Sequence, residues 1–221
     1  VDMNGRLRGK QIPIETEKKV WEGAVRLPAS TQSLDIWGDD NDDLTGISLT
    51  LGDPDGAVLP DRRSHVPMPW APKGSSQVLA SMHTLAGEPH FCDPRGMLAK
   101  LLKRFEAKGL TPVVATELEF YLIDPVRSAL DPVRPPNTRD GRWHTGQTQV
   151  LSISELQDFE EVFHGISTAA RAQNVPADTT LRENGPGQYE INLNHVPDAL
   201  AAADYAVLLK RIVKGVARAH D

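Results

Sequence analysis

Two short segments carry acids at spacings that suit metal chemistry. In Glu117-Leu118-Glu119-Phe120-Tyr121-Leu122, the alternation of a β-strand puts Glu117, Glu119 and Tyr121 on one face. Leu118, Phe120 and Leu122 then point to the other, toward a core. Gln188-Tyr189-Glu190-Ile191-Asn192-Leu193-Asn194 repeats the arrangement, with Gln188, Glu190, Asn192 and Asn194 sharing a face. Glu183 lies just upstream, and Asn184-Gly185-Pro186-Gly187 between them is a turn able to fold it back toward Glu190.

Alternating acids on a strand also mark a solvated face. Two details weigh against that reading here. Glutamate is a poor strand former, yet these acids occupy the most strand-like stretches of the chain. If the two strands pair, carboxylates also face one another, and like charges about 4 Å apart cost roughly 4 kcal/mol at an effective dielectric near 20. A cation between them removes that cost, and an all-oxygen donor set selects a hard ion, Mg²⁺ or Mn²⁺.

Holding such acids in place takes a sheet backed by helices. Residues 1–92 read as a small β-rich domain, β-grasp-like or barrel-like. Asn4-Gly5 is a hairpin signal, Leu44 to Leu51 reads as a strand, and Asp53-Pro-Asp-Gly56 is a turn; the one helix expected there spans Glu15 to Gly23. The character changes at Asp93-Pro94, an N-cap followed by a first-turn proline. Leu98, Leu101, Leu102 and Phe105 then recur at helical spacing and Gly109 stands at the C′ position. A domain boundary is therefore set near Asp93, with residues 93–221 forming a second domain.

In that second domain a strand is expected over Thr111–Ile123, followed by a long loop over 124–149. Ser154 with Gln157 predicts a capping box opening a helix that runs to about Gln173. Leu156, Phe159, Val162, Phe163 and Ile166 form its apolar stripe. A last helix is expected from about Pro197 to His220. The fold class is α+β, with an antiparallel sheet and flanking helices.

Composition bounds the partners. The net charge of −6 and pI near 5.6 provide no broad basic surface, which excludes nucleic acid as a natural partner. An anionic nucleotide remains accessible through a bridging metal. Cys92 is the single cysteine, so no internal disulfide forms and a reducing, cytoplasmic setting is expected; its own reading is that of a small apolar residue. No apolar run reaches the length of a membrane span, and the segment from Val1 has neither a signal-peptide core nor an initiator methionine, so a trimmed end is expected. The seven histidines lack metal-ligand spacing, and a loop role is favoured for His195, the one nearest the acids.

The stretches Val113-Val-Ala-Thr-Glu-Leu-Glu-Phe-Tyr-Leu-Ile-Asp124 and Arg182-Glu-Asn-Gly-Pro-Gly-Gln-Tyr-Glu-Ile-Asn-Leu193 resemble the glutamine synthetase superfamily, in wording closest to its γ-glutamylpolyamine synthetase branch. Leu7-Arg-Gly-Lys10, Asp93-Pro-Arg95 and Ala203-Asp-Tyr-Ala-Val-Leu-Leu-Lys210 extend the resemblance along the chain. It implies that Glu119, Glu183 and Glu190 ligate one divalent metal, and that Glu117 is one ligand of a second metal holding the nucleotide phosphates. It implies a two-step ligation of glutamate to an amine at the expense of ATP, by way of γ-glutamyl phosphate, in a homo-oligomer when full-length.

The sequence also departs from that pattern. Beyond Asp221 a family member would continue into a histidine and a last glutamate of the second metal centre, arginines for glutamate and phosphate, and most nucleotide contacts. The expectation is a truncated catalytic domain that binds Mn²⁺ or Mg²⁺ weakly and forms no γ-glutamyl product by itself. The face of the last helix bearing Val207, Leu208 and Ile212 is expected to be partly uncovered. The ammonia-type Asp-Gly-Ser-Ser form is missing around Leu34-Asp-Ile-Trp-Gly38, so either a bulkier amine is used or Asp35 substitutes, with a plain turn acid as the alternative. In the loop, Arg142 and Trp143 read as solvated or as reaching a nucleotide base. A non-catalytic structural or regulatory protein with this fold is the competing reading.

Overall fold

The computed structural model describes residues 1–40, 46–48, 52–126, 128, 130–138 and 149–220. They form two compact units, one from Val1–His65 with Val78–Thr111, the other from Val66–Gln77 with Pro112–Asp221.

In the first unit, α1 (Lys18–Trp21) leads to an antiparallel sheet of β1 (Arg26–Pro28), β2 (Asp55–Pro60) and β5 (Ala80–His83), with β2 central. Leu27, Ala29, Ile47, Met82 and Cys92 make its core. Burial raises the pKa of the Cys92 thiol, in keeping with a packed, unreactive role. Helix α2 (Pro94–Glu106) packs within this unit, against β5. The Asp93 carboxylate accepts the Gly96 amide at 2.8 Å to start it. At the other end the amides of Gly109 and Leu110 return to the carbonyls of Glu106 and Phe105, with Gly109 at φ 66°, the paired bonds of a Schellman stop. By contacts the chain divides after Thr111, with residues 66–77 joining the second unit.

Two local expectations differ from what the first unit contains, and a third falls mostly outside the described residues. The Asn4-Gly5 turn is present, but no strands flank it over residues 1–10. Asp2 takes their place: one carboxylate oxygen accepts the amides of Asn4 (2.9 Å) and Arg6 (2.8 Å), and the other accepts Arg8 Nε at 2.8 Å. The helix expected over Glu15–Gly23 is the single turn α1 preceded by a 3₁₀ turn at Ile14–Thr16. The strand expected over Leu44–Leu51 lies largely outside the described residues.

The second unit contains the hairpin β3 (Val66–Pro67) and β4 (Ser76–Gln77), and a three-stranded antiparallel sheet in the order β6 (Glu117–Tyr121), β8 (Gln188–Leu193), β7 (Ala177–Arg182). Helices α3 (Ile153–Asp158), α4 (Glu160–Ala172) and α5 (Ala199–Ala219) complete it. Tyr189, Ile191, Ile166, Leu209 and Ile212 are its large fully buried hydrophobic side chains. Phe120, Phe159 and Phe163 ring Tyr189 with centroids 6.3, 6.1 and 4.8 Å away. Burial, then the nearby Glu155, push the Tyr189 hydroxyl well above its ordinary pKa.

The helix expected to open at Ser154 opens instead at Ser152, whose hydroxyl accepts the Glu155 amide, and it breaks at Phe159 (φ −119°, ψ 25°) into α3 and α4. Helix α5 starts where expected, with Asp198 accepting the amides of Leu200 and Ala201. Of the apolar face expected to be partly uncovered, Leu208 is 2 % exposed and Ile212 0 %, while Val207 is half-buried. The covering comes from α4 and β6 and from the β3–β4 hairpin. In that hairpin Trp70 lies where a side chain at Gly215 would stand, and Gln77 accepts from Arg211.

Candidate metal centre

Strand β6 pairs with β8 so that Glu117 faces Asn192, Glu119 faces Glu190 and Tyr121 faces Gln188. Strand β7 pairs with the other edge of β8, setting Leu181 opposite Glu190 and Arg182 opposite Tyr189. Beyond Arg182 the Glu183 amide donates to the Gln188 carbonyl at 2.9 Å, so the ladder runs one residue further. Directly paired residues share a face. Glu117, Glu119, Glu190, Gln188 and Glu183 therefore lie together on one face of the sheet. Leu118, Phe120, Tyr189, Ile191 and Arg182 lie on the other.

The acids differ in setting. Glu190, on the central strand, is buried at 8 % exposure, while Glu117 and Glu119, on an edge strand, are exposed. Each of three carboxylates accepts from a neighbouring amide: Glu119 from Gln188 Nε2 at 2.7 Å, Glu190 from Asn192 Nδ2 at 2.8 Å, and Glu183 from the Asn184 backbone at 3.2 Å. With the side chains so engaged, no three acidic, histidine or cysteine side chains among the described residues stand close enough to share an ion. What the structure does bring together is the backbone register of the acids. Two carboxylates from separate strands face each other directly and a third occupies the adjoining rung. A hard ion is what an all-carboxylate face accommodates, and the like-charge pair Glu119–Glu190 is what such an ion would neutralise. Glu117, one rung further along, is on the same face and two residues from Glu119.

The turn that carries Glu183 is tightly specified. Gly187 sits at φ 73°, and a side chain there would meet Pro135 at 2.7 Å and the Leu122 carbonyl at 2.9 Å. Gln188 Oε1 accepts the Gly185 amide at 2.8 Å while Nε2 of the same side chain holds Glu119. The fully buried Arg182 donates from Nη1 to the carbonyls of Glu183 and Gly185 and from Nε to Glu155. Arg182 was not singled out from sequence. Its core-facing parity, one residue before an acid, is the signal that finds it.

Asp35 closes its own loop by accepting the amides of Trp37, Gly38 and Asp39, and these bonds, Asp39 foremost, lower its pKa. It is a turn acid. His195 is exposed just past β8. Arg142 and Trp143 lie outside the described residues.

The family profile for the glutamine synthetase catalytic domain matches residues 91–221. The chain belongs to the glutamine synthetase family. Among curated relatives it is 38% identical over 219 residues to gamma-glutamylputrescine synthetase PuuA of Escherichia coli K12, covering 99% of this chain and 46% of that protein. It is 32% identical over 227 residues to the glutamate–isopropylamine ligase of a Pseudomonas species, covering 100% of this chain and 47% of that protein. The chain thus spans about half the length of the curated relatives it matches. A solved structure of GmaS without ligand superposes with a TM-score of 0.78 at 24% identity, over 99% of this chain and 46% of that one. The α+β fold with its antiparallel sheet is accordingly of glutamine synthetase type, and the family is one of ligases joining glutamate to amines.

Proposed function

We propose that this chain contributes to an ATP-dependent ligase that joins the γ-carboxylate of glutamate to an organic amine. The observation that carries the reading is the register of β6 on β8, which sets Glu119 opposite Glu190 with Glu183 on the same face. Glu119, Glu183 and Glu190 would hold one Mg²⁺ or Mn²⁺, and Glu117 would contribute to a second. Bound there, the ions supply charge neutralisation for phosphoryl oxygens.

The chemistry is positioning and electrostatics. The glutamate γ-carboxylate attacks the terminal phosphorus of ATP, releasing ADP. The amine nitrogen then attacks the acyl carbon, phosphate departs, and the nitrogen loses a proton. The role of this chain is to fix acid positions: Gln188 orients Glu119, Asn192 orients Glu190, and the rigid turn presents Glu183. A polyamine or other alkylamine is the proposed acceptor, supported by the amines that name the two relatives, putrescine and isopropylamine. The proposed setting is cytoplasmic, in a homo-oligomer, with residues 1–92 proposed as an N-terminal domain. Among the described residues no helix is long and apolar enough to cross a membrane.

The test is phosphate release with ATP, glutamate and a panel of amines, with mass spectrometry of the γ-glutamyl product, on the complete gene product. Amine-dependent phosphate release with a matching γ-glutamyl amide supports the reading, and ATP hydrolysis without an amide sinks it. For these 221 residues alone the expected result is metal binding without turnover.

A further inference from the structure

We infer that Arg182, with Glu155 as its buried counter-charge, is a positioning residue that sets the metal affinity of the centre by fixing the turn that presents Glu183. The inference rests on the metal reading above. Three observations in one unit carry it. Arg182 is 0 % exposed, an unusual place for an arginine, which is almost never fully buried unless paired. One arm of its fork is given to the turn: Nη1 donates to the carbonyls of both Glu183 and Gly185, the first and third residues of the loop between β7 and β8, while Nη2 is buried without a hydrogen-bond partner among the described residues. Its remaining charge is met by Glu155, which lies in the first turn of α3 behind the sheet, with a side chain only 12% exposed.

The consequence is geometric. The Glu183 side chain leaves the backbone at a residue whose carbonyl is clamped from the core side, so its carboxylate can sweep only by side-chain rotation. The same turn is held from the opposite face by Gln188, whose other end holds Glu119. Arg182 and Gln188 thus grip one turn from two sides, one linking it to the helical layer and the other to the partner acid. Groups of this kind, which orient ligands without touching the ion, typically change metal affinity about ten- to hundredfold when altered. Lysine cannot replace the fork, because a single ammonium cannot serve Glu155 and two carbonyls in the same plane.

The experiment is an Mn²⁺ titration followed by electron paramagnetic resonance on the complete chain, with thermal melting in parallel, for wild type, Arg182→Lys, Glu155→Gln and Ile212→Val. Arg182→Lys and Glu155→Gln are expected to raise the Mn²⁺ dissociation constant about tenfold or more well below their melting temperatures. Ile212→Val, a core change in α5, is expected to lower Tm and leave the constant unchanged. Wild-type affinity in both Arg182→Lys and Glu155→Gln overturns the inference, however far Tm falls. If Arg182→Lys does not fold, Glu155→Gln decides alone. An absence of Mn²⁺ binding in the wild type overturns the metal reading itself. Hydrogen exchange at the Gly185 and Gln188 amides then judges the clamp separately, and wild-type exchange in Glu155→Gln disposes of it.

Discussion

The side-chain amide of Gln188, whose direct partner is Tyr121, donates diagonally from β8 to the carboxylate of Glu119 on β6 at 2.7 Å. A neutral amide thus stands beside the acid that faces Glu190, and both acids are satisfied by amides from their own sheet. The face is organised for negative charge before any cation arrives.

Glu119→Ala is expected to abolish calorimetric Mn²⁺ binding, because it removes half of the facing pair. Glu117→Ala, one rung away and opposite Asn192, is expected to weaken it less. Equal binding in both variants and the wild type would remove the centre.

The facing acids also predict a stability effect of opposite sign with and without metal. Like charges directly across an antiparallel pair are destabilising. Glu119→Gln is therefore expected to raise Tm slightly in chelator-treated protein and to lose the rise that Mn²⁺ gives the wild type. Differential scanning calorimetry at both conditions reads it, and a fall in Tm under chelator counts against the like-charge account.

Gly187→Ala tests the turn. Its φ of 73° is costly for any residue with a Cβ, at about 1–2 kcal/mol. The Leu122 carbonyl, being backbone, cannot step aside. Urea denaturation is expected to show a loss of about 2 kcal/mol or more, with Mn²⁺ affinity falling in parallel. An unchanged midpoint would mean that the turn relaxes freely.

In the first unit, Asp61 gives a pH prediction. Arg63, with help from Arg95 on α2, holds its carboxyl well below the usual carboxylate range, against the opposing effect of burial. A depressed folded value means that the stabilisation is complete above the ordinary value of 3.8 and is lost progressively as pH falls below it. Asp61→Asn is expected to cost about 1 kcal/mol at pH 7, with the gap to wild type closing below about pH 4. A gap that stays constant down to pH 2 would show that the ion pairs contribute nothing.

The placement of the four glutamates was legible because it depends only on the period of two within strands and on one turn. Strand β7 was not, since Ala177-Asp-Thr-Thr-Leu-Arg182 is not strongly apolar and gains its strand character by pairing with β8. The capping residue of α3 was ambiguous for a different reason. Ser152 precedes Glu155 by three just as Ser154 precedes Gln157, and local pattern does not choose between them. In the folded chain Glu155 belongs to Arg182, and that long-range bond accompanies a cap at Ser152. The cover over Leu208 and Ile212 on α5 was not legible because it includes a hairpin far upstream. Arg182 itself was hidden by the ordinary expectation that arginine is exposed.

That hairpin bears on how the protein comes into being. Gln77 and Arg211, which bond to each other, are 134 residues apart. During synthesis, residues 66–77 leave the ribosome long before α5 exists, and Trp70 has no glycine notch to enter until Gly215 emerges. Contacts of such sequence separation are slow to form. A fragment beginning at residue 91, where the family match starts, would lack the hairpin entirely. Dissection at that position would cut through a folding unit and not between two.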